Sequence, residues 1–282
     1  YNSTEDYDEY PFINLFSNKI KDMYFTYPSE KTLIDDYKDF IYTLSEPATD
    51  IGPYIQYKVM SLVSKHVKVV LGGQGADEQL GGYHNFFGSY YKELLSQFKL
   101  IKLFNEIIAY KKTHKTNEAL QYFIYYLLPI ALKKRINPFN LGSVNKDFFK
   151  NYSKSSSVVK NIYHPENLQS SLVEHFEHKL EHLLKWDDLN SMRFSVESRV
   201  PFLDYRLVEA TLNMPSDSIL KNATTKFILR KSIRKIVPKK IVNRIDKKGF
   251  SNPRAQWFRS KIFRLFINDM LNSNQFLNLG IF

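Results

Sequence analysis

The feature that most constrains this 282-residue chain is a glycine-rich segment, VVLGGQGADEQLGGYHNFF, at positions 69–87. Five of the ten glycines lie in it, around two adjacent carboxylates, Asp77 and Glu78. The run Val67–Leu71 before the glycines is short and rich in valine, with apolar residues at odd and even positions, which is typical of a buried parallel strand. A loop that follows such a strand reaches the carboxyl edge of the sheet, where α/β proteins bind ligands.

The residue types in this loop indicate phosphate chemistry. Glycines at Gly72, Gly73 and Gly75 allow backbone N–H groups to approach a phosphate closely, and a following helix N-terminus adds partial positive charge. A carboxylate beside a bound phosphate usually holds Mg²⁺, which makes one of these two acids a candidate metal ligand. The loop therefore predicts a nucleotide or pyrophosphate site. A tight turn whose acids cap a helix is the alternative that the loop alone leaves open.

Composition narrows the class of protein. Hydrophobic residues make up 43% and charged residues 24%, as in ordinary globular domains. No apolar run of about 18 residues occurs, so no membrane span is predicted. The sequence contains no cysteine, which excludes disulfides, thiolate nucleophiles and Cys-ligated zinc from these residues and fits a reducing, cytoplasmic setting.

Positive charge is concentrated near the C-terminal end. Lys221–Arg264 holds fifteen Lys or Arg and one acid, whereas the whole chain carries +11. This suggests a polyanionic ligand, which could be a phosphorylated small molecule, a membrane surface or nucleic acid, and charge alone leaves a merely solvated helix surface equally open. Nucleic-acid binding would also need exposed aromatic platforms, and the candidates Phe250, Trp257 and Phe258 have spacing typical of a core.

The periodicity predicts a helix-rich α/β protein. It contains part of a doubly wound parallel sheet, over residues 1–85, followed by a mainly helical region, over residues 86–282. Besides the strand before the glycines, a strand is predicted at 22–28, and loops are predicted at 135–146 and 151–157. Helices are predicted at 31–46, 54–65, 86–134 with one polar break, 166–185, 205–213, 225–236 and 253–272.

Two later stretches carry clustered charges. In Trp186–Pro215, closely spaced charges among apolar residues, such as Asp187, Asp188 and Arg193, are expected to pair with one another when buried. Glu197 and Arg199 are expected to form a scaffold ion pair, and Asp204 to cap the helix that begins at Tyr205.

In the second stretch, Lys226–Pro253, Lys226 and Arg230 are one helical turn apart and could clamp a pyrophosphate. An exposed amphipathic helix is the alternative. His175, His178 and His182 share one predicted helix face, which is weak evidence for a metal site and more typical of a charged, solvent-facing surface.

Together these stretches resemble the synthetase domain of the glutamine-dependent asparagine synthetases, whose sheet is of the ATP-pyrophosphatase (adenine nucleotide alpha hydrolase-like) type. That family's Leu-Ser-Gly-x-Gly-Ala-Asp-Glu-x-x-x-Gly-Tyr pattern matches Leu71–Tyr83, and its DxNSMxFSxExRxPFLD pattern matches Asp188–Asp204. Its KxxLR pattern matches Lys226–Arg230, and RxxKxGFxxP matches Arg244–Pro253. Four motifs in the same order, with Glu46-Pro47 also in place, cover nearly the whole chain.

The resemblance implies a reaction and roles for residues. ATP would activate the aspartate side chain as an acyl-adenylate, Mg-pyrophosphate would leave, and ammonia from a glutaminase domain would displace AMP. Asp77 matches the acid that holds Mg-pyrophosphate. Lys226 matches the lysine that neutralises phosphate charge, with Arg230 beside it. Gly72, Gly73 and Gly75 would contact the nucleotide. The parent protein could be a homodimer, with no nucleic-acid or membrane partner.

The sequence departs from the family pattern in three ways. The motif's serine is Gly72, and Gln74 stands where many relatives have Glu; glutamine can position ammonia or the adenylate but cannot accept a proton as a general base. The family's Ser-Gly-Gly-x-Asp-Ser loop and the Cys-dependent glutaminase domain are absent from these residues. We therefore expect a C-terminal piece of a longer protein that is inactive alone.

A related ligase that amidates or cyclises another carboxylate, such as a β-lactam synthetase or peptide-modifying enzyme, is the alternative to an enzyme that acts on aspartate.

Overall fold

The structure is a computed structural model that describes residues 9–47, 51–133, 165–246 and 254–279, with the single residues Asp147 and Asn151. Helices dominate, and the chain forms two compact units that are interleaved along the sequence. The predicted loops at 135–146 and 152–157 and the GF turn at Gly249-Phe250 lie outside the described residues.

The first unit falls within residues 1–72, 183–199 and 248–280 and contains the sheet. Strands β1 (Val69–Leu71) and β2 (Glu197–Arg199) pair in parallel, with Val70 opposite Ser198, and the Gly72 N–H extends the ladder to the Arg199 carbonyl at 2.7 Å. The helices of this unit are α1 (Tyr10–Ile13), the 3₁₀ turn Asn14–Phe16, α2 (Glu30–Leu44), α3 (Gly52–Val63), most of α10 (Leu180–Arg193), α15 (Arg254–Arg259), α16 (Lys261–Leu271) and α17 (Asn274–Leu277).

The second unit falls within residues 73–182 and 200–247, and its described part is helical. Its core is aromatic and includes the fully buried rings of Phe86, Phe87, Tyr90 and Tyr91. The elements of this unit are α4 (Ala76–Gln79), α5 (Asn85–Ser96), α6 (Leu100–His114), α7 (Glu118–Leu127), α8 (Ile130–Lys133), α9 (Leu168–His178), the 3₁₀ turn Pro201–Leu203, α11 (Tyr205–Leu212), α12 (Ser216–Ile219), α13 (Phe227–Ile233) and α14 (Lys239–Val242).

Two strand predictions are corrected by the structure. Residues 22–28 are not a strand: Tyr24 and Tyr27 are more than half exposed, and the Tyr24 ring stacks on His66. Strand β1 is parallel, as predicted, but it is not buried, because Val69 and Leu71 are 40% and 69% exposed. Burial of a strand needs elements packed on the faces of the sheet, and the exposure of Val69 and Leu71 shows that the described residues leave their face of β1 open.

The charged side chains of Trp186–Arg193 have other hydrogen-bond partners than the sequence predicts. They lie on α10 and bond to residues from α2 to α3 rather than to one another. Arg193 forms a two-pronged hydrogen bond to Asp39, at 2.8 and 3.0 Å, and buried Asp187 accepts a hydrogen bond from Gln56. Trp186 donates to Glu46 at 3.2 Å, so the family-like Glu46-Pro47 dipeptide is tied directly to the second motif. This motif therefore holds α10 in the first unit.

Other predictions about this stretch are confirmed. Asp204 caps α11 through the Arg206 N–H at 3.0 Å. Glu197 and Arg199 form the expected ion pair at 2.8 Å, although both side chains are more than half exposed.

Glu174 on α9 gives the second unit a pH-dependent stability. Burial, assisted by the nearby charges of Glu166 and Glu177, raises the Glu174 pKa from 4.5 to about 7. Near pH 4 the carboxyl is protonated in both the folded and the unfolded chain, so it costs nothing. Between pH 4.5 and about 7 the unfolded chain loses this proton while the folded chain keeps it, so stability falls as the pH rises across that range and levels off above it.

We expect Glu174→Gln to raise the free energy of unfolding by about 1 kcal/mol above pH 7, after allowance for partial exposure, and to leave it unchanged near pH 4. Urea unfolding at both pH values measures this. Substituting the exposed Glu181 with Gln serves as the control. An equal gain at both pH values would show that the carboxylate charge is not the cause.

Candidate functional site

The glycine loop leads into α4, whose polar side chains are locked in place. Glu78 is buried and accepts a hydrogen bond from the Tyr83 hydroxyl. Gln79 is fully buried, donates to the Phe202 carbonyl and accepts from the Thr211 hydroxyl at 2.7 Å. Because Glu78 and Gln79, the two residues that follow Asp77 on this short helix, are committed to structure, Asp77 is the acid of the Asp77–Glu78 pair that is available for chemistry.

Two glycines in this segment are required by the backbone and by close packing. Gly75 precedes α4 with φ of +87°, a conformation that other residues rarely adopt, and its position lies against Leu203. Gly82 is packed on Asp77 itself: a Cβ at Gly82 would lie 1.8 Å from Asp77 Oδ1 and 2.8 Å from its Cα. The Gly82 N–H also donates to the Asp77 carbonyl at 2.8 Å. The loop therefore closes around the carboxylate.

Lys226, 149 positions further along the chain, lies at this carboxylate. Its Nζ is 2.8 Å from Asp77 Oδ1, and both side chains are about one-fifth exposed. Lys226 caps α13 with φ of +53°, and its N–H donates to the Leu80 carbonyl at 3.1 Å. A lysine in the left-handed region costs about 1 kcal/mol, and such residues are concentrated at functional sites.

Arg230 is held by backbone carbonyls. Its Nε donates to the Thr225 carbonyl at 2.7 Å and its Nη1 to the Val242 carbonyl at 2.6 Å, which ties α13 to the end of α14. Burial lowers the Arg230 pKa, and the negative charge of Asp77 opposes that shift. Arg230 thus interacts electrostatically with Asp77, and two of its three guanidinium nitrogens are already hydrogen-bonded to backbone carbonyls.

The remaining predicted site residues lie on the loop itself. Gly72 uses its N–H in the sheet ladder of the first unit, so that group is already bonded. Gly73 is exposed, and a Cβ there would meet open space. Gln74 is half-buried, and its side chain makes no hydrogen bond to any described residue. The Gly73 backbone and the Gln74 amide are therefore accessible to a ligand of this loop.

A cavity of about 480 Å³ lies beside the turn that carries Lys226. The backbone of Ala223–Thr225 forms one wall, and the described ionisable side chains that line it are all basic or histidine. Those side chains are His114, Arg230, Lys231, Arg234 and Arg244. The positive charge of the C-terminal segment is thus partly gathered around a concave surface that suits an anion.

Sequence reasoning missed the groups that support this site, Glu106 and His114 on α6. Glu106 is 4% exposed and binds the turn that precedes Lys226, and His114 bonds to the same turn. A signal was present in the sequence, because helical spacing places Glu106 on the same face as Leu103 and Tyr110, which form part of the core. An acid on an apolar helix face is expected to have a buried partner.

The weaker alternatives find no support in the described residues. No group of three acidic or histidine side chains there could hold a metal ion. His175 is buried rather than solvent-facing: it bonds to Asn85 and to the Ser171 carbonyl, and burial lowers its pKa to about 4. Trp257 is part of a core, as its spacing predicts, whereas Phe258, for which the same was predicted, is 44% exposed. None of the helices described is long and apolar enough to cross a membrane.

These features define a helix-rich α/β protein with a small parallel sheet and a lysine–aspartate pair at a glycine turn. The family model described as asparagine synthase matches residues 2–282. The chain therefore belongs to the asparagine synthase family, as the four motifs predict.

Curated relatives support the same assignment. The chain is 29% identical, over 83% of its length, to asparagine synthetase [glutamine-hydrolyzing] 1 of Bacillus subtilis, of which it covers 38%. It is 28% identical, over 79% of its length, to a putative asparagine synthetase of Mycobacterium bovis, of which it covers 35%. It is 24% identical, over 84% of its length, to the amidase chyE of Penicillium rubens, of which it covers 40%. The chain thus spans well under half of the length of these relatives.

Proposed function

We propose that this chain is the synthetase part of an enzyme that forms an amide on the side chain of aspartate at the expense of ATP. The reaction would pass through an acyl-adenylate, release pyrophosphate and then AMP, and use ammonia from a glutaminase domain of the parent protein. The observation that carries the proposal is the Lys226–Asp77 pair, enclosed by the glycine turn. Membership of the family supplies the reaction class.

The pair suits pyrophosphate chemistry because it offers one cation and one acid at a single point. Without ligand, Lys226 and Asp77 neutralise each other at 2.8 Å. A bound triphosphate would draw the Lys226 ammonium to its oxygens, where it would stabilise the charge that builds on the departing pyrophosphate. The Gly73 N–H would add a neutral donor, and the Gln74 amide would orient ammonia or the adenylate by hydrogen bonding.

Asp77 fits a magnesium ion that enters with the phosphates. Mg²⁺ is usually bound by one or two carboxylates together with substrate phosphates and water. The described residues offer Asp77 alone, since Glu78 is bonded to Tyr83. When bound, Mg²⁺ would neutralise phosphate charge. The proposed cofactors are therefore ATP and Mg²⁺. We further propose a cytoplasmic location and a homodimeric assembly for the parent protein.

A second candidate is an amide ligase of this family that acts on another carboxylate. Two observations favour it: Gln74 replaces the Glu that many family members carry, and one relative, at 24% identity, is named an amidase rather than an asparagine synthetase. Both candidates share the adenylation step and differ only in the acceptor.

Pyrophosphate release by the full-length protein, measured with ATP, Mg²⁺ and a panel of carboxylic acids, separates the two. We expect aspartate to give the highest kcat/KM, and ammonia to convert the adenylate to asparagine. Release with another acid but not with aspartate would favour the second candidate. No release with any acid, from a protein whose fold is verified by circular dichroism, would contradict both.

A further inference from the structure

The turn that delivers Lys226 is strained at three of its positions. Asn222, Ala223 and Lys226 have φ values of 50°, 57° and 53°, all in the left-handed region. Asparagine adopts this conformation readily, but alanine and lysine rarely do. Such backbone persists only where surrounding contacts determine it, so the contacts that hold this turn decide where Lys226 lies.

Glu106 supplies the central contact. It projects from α6, and it is almost fully buried although it is a carboxylate. Its Oε1 accepts the N–H of Asn222 at 3.0 Å, and its Oε2 accepts the N–H of Ala223 at 3.2 Å. One carboxylate thus bonds to two consecutive amides, both of residues in the left-handed conformation. Charge-assisted bonds of this kind are about twice as strong as neutral ones.

The same helix also holds the carbonyl of Ala223, in the next peptide unit. The carbonyl of Ala223 lies 2.8 Å from Nε2 of His114 and, because a carbonyl only accepts, that nitrogen carries the proton. At the far end of the turn, the Lys226 N–H is bonded to the Leu80 carbonyl, three residues beyond Asp77. The turn is therefore fixed to α6 at its start and to the glycine segment at its end.

We propose that Glu106 is a positioning residue, which stabilises the strained turn so that the Lys226 ammonium lies at Asp77. Glu106 does not touch substrate in this role; it acts through the backbone of Asn222 and Ala223. The consequence for catalysis rests on the proposed function, whereas the placement of Lys226 is a property of the chain that can be measured without any reaction.

Two variants test the role, and one serves as the control. Glu106→Gln keeps one acceptor oxygen and loses the charge, and Glu106→Ala removes both acceptors. Glu93→Gln is the matched control, because Glu93 is a partly buried carboxylate of the same unit that accepts the Leu168 N–H at 3.1 Å and the Ser216 hydroxyl at 2.8 Å, and so binds the starts of α9 and α12 rather than the amides of Asn222 and Ala223. All three are made in the full-length protein, and circular dichroism verifies the fold.

The first readouts need no substrate. Hydrogen exchange followed by mass spectrometry on a peptide that spans 220–226 should be about tenfold faster in Glu106→Gln than in wild type, since local opening becomes easier. The rate at which acetic anhydride labels Lys226, relative to the other lysines, should rise about threefold as its ion pair loosens. Glu93→Gln should change neither rate.

The kinetic readout follows from the same displacement of the Lys226 ammonium. In pyrophosphate release we expect Glu106→Gln to lower kcat about tenfold while KM for the acceptor acid changes less than twofold, because a small misplacement of a catalytic group affects the transition state most. Loss of stability alone would lower the amount of active protein, and active-site titration corrects for that.

The outcomes are distinguishable. Exchange and labelling that change only in the Glu106 variants support the positioning role, even if wild type releases no pyrophosphate, in which case the proposed function alone fails. Exchange and labelling in Glu106→Gln that equal those of Glu93→Gln overturn the positioning role. If Glu106→Ala does not fold, the Gln variant decides.

Discussion

Lys226→Ala is expected to lower kcat for pyrophosphate release about 10²- to 10³-fold, the usual loss when one preorganised charge-stabilising donor is removed. The reason is geometric: the Lys226 ammonium is the cation that the structure places at Asp77, at 2.8 Å. The change also leaves a mostly buried carboxylate without its partner, so we expect a stability loss of about 1–3 kcal/mol. Steady-state kinetics and urea unfolding measure the two effects separately.

Lys235→Ala is the control for this prediction. Lys235 follows α13, is exposed and does not line the basic cavity, so its removal changes net charge by the same amount. A general attraction of anions by the basic segment would make the two variants equally slow, and their difference would shrink in high salt. A specific role predicts that only Lys226→Ala loses kcat, and that the loss persists in high salt. Equal losses would contradict the assignment of Lys226.

Gly82→Ala is expected to disable the same site by steric means. The new Cβ would lie 1.8 Å from Asp77 Oδ1, which can rotate away, but also 2.8 Å from the Asp77 Cα, which cannot. Both the carboxylate and the backbone must therefore shift. We expect a destabilisation of about 1–3 kcal/mol, as for other overpacked sites, and a fall of about 10²-fold in kcat.

Gly52→Ala is the matched glycine control. Gly52 is the first residue of α3, and a Cβ there would meet no atom within 4 Å. It should therefore leave both activity and stability close to wild type. If Gly82→Ala retains full activity, the close packing between Gly82 and Asp77 does not determine the position of the carboxylate.

Much of the helical content could be predicted because the residues that begin and end a helix are close to it in the sequence. Helix α2 ends before Pro47, and α11 begins after Asp204, as the sequence predicts. Asp77 was singled out by the glycines that flank it in the chain. That Lys226 acts at the same phosphates followed only from the family resemblance, and their ion pair was not predicted, since no local rule relates residues that are 149 positions apart.

The errors share one physical cause, which is that the burial of a residue depends on the elements that pack against it, and these are remote in the sequence. An apolar run such as Val67–Leu71 is typical of a strand whose faces are covered, yet Val67, Val69 and Leu71 are 40% exposed or more in the part of the chain that the structure describes. Charges on α10 were expected to pair locally, and instead Arg193 and Asp187 find partners on α2 and α3. Glu106 was overlooked because its partners are backbone amides more than a hundred residues away.

The pairing of β1 with β2 has a consequence for how freely this chain can vary in length. Val69 and Glu197 are neighbours in the sheet, so the chain between them is a closed loop of more than a hundred residues. The entropy of closing a loop grows only with the logarithm of its length, and doubling the loop costs about 0.6 kcal/mol. Insertions between these strands are therefore nearly neutral for the sheet, whereas a shift of one residue in the three-residue register would lose a third of its pairs.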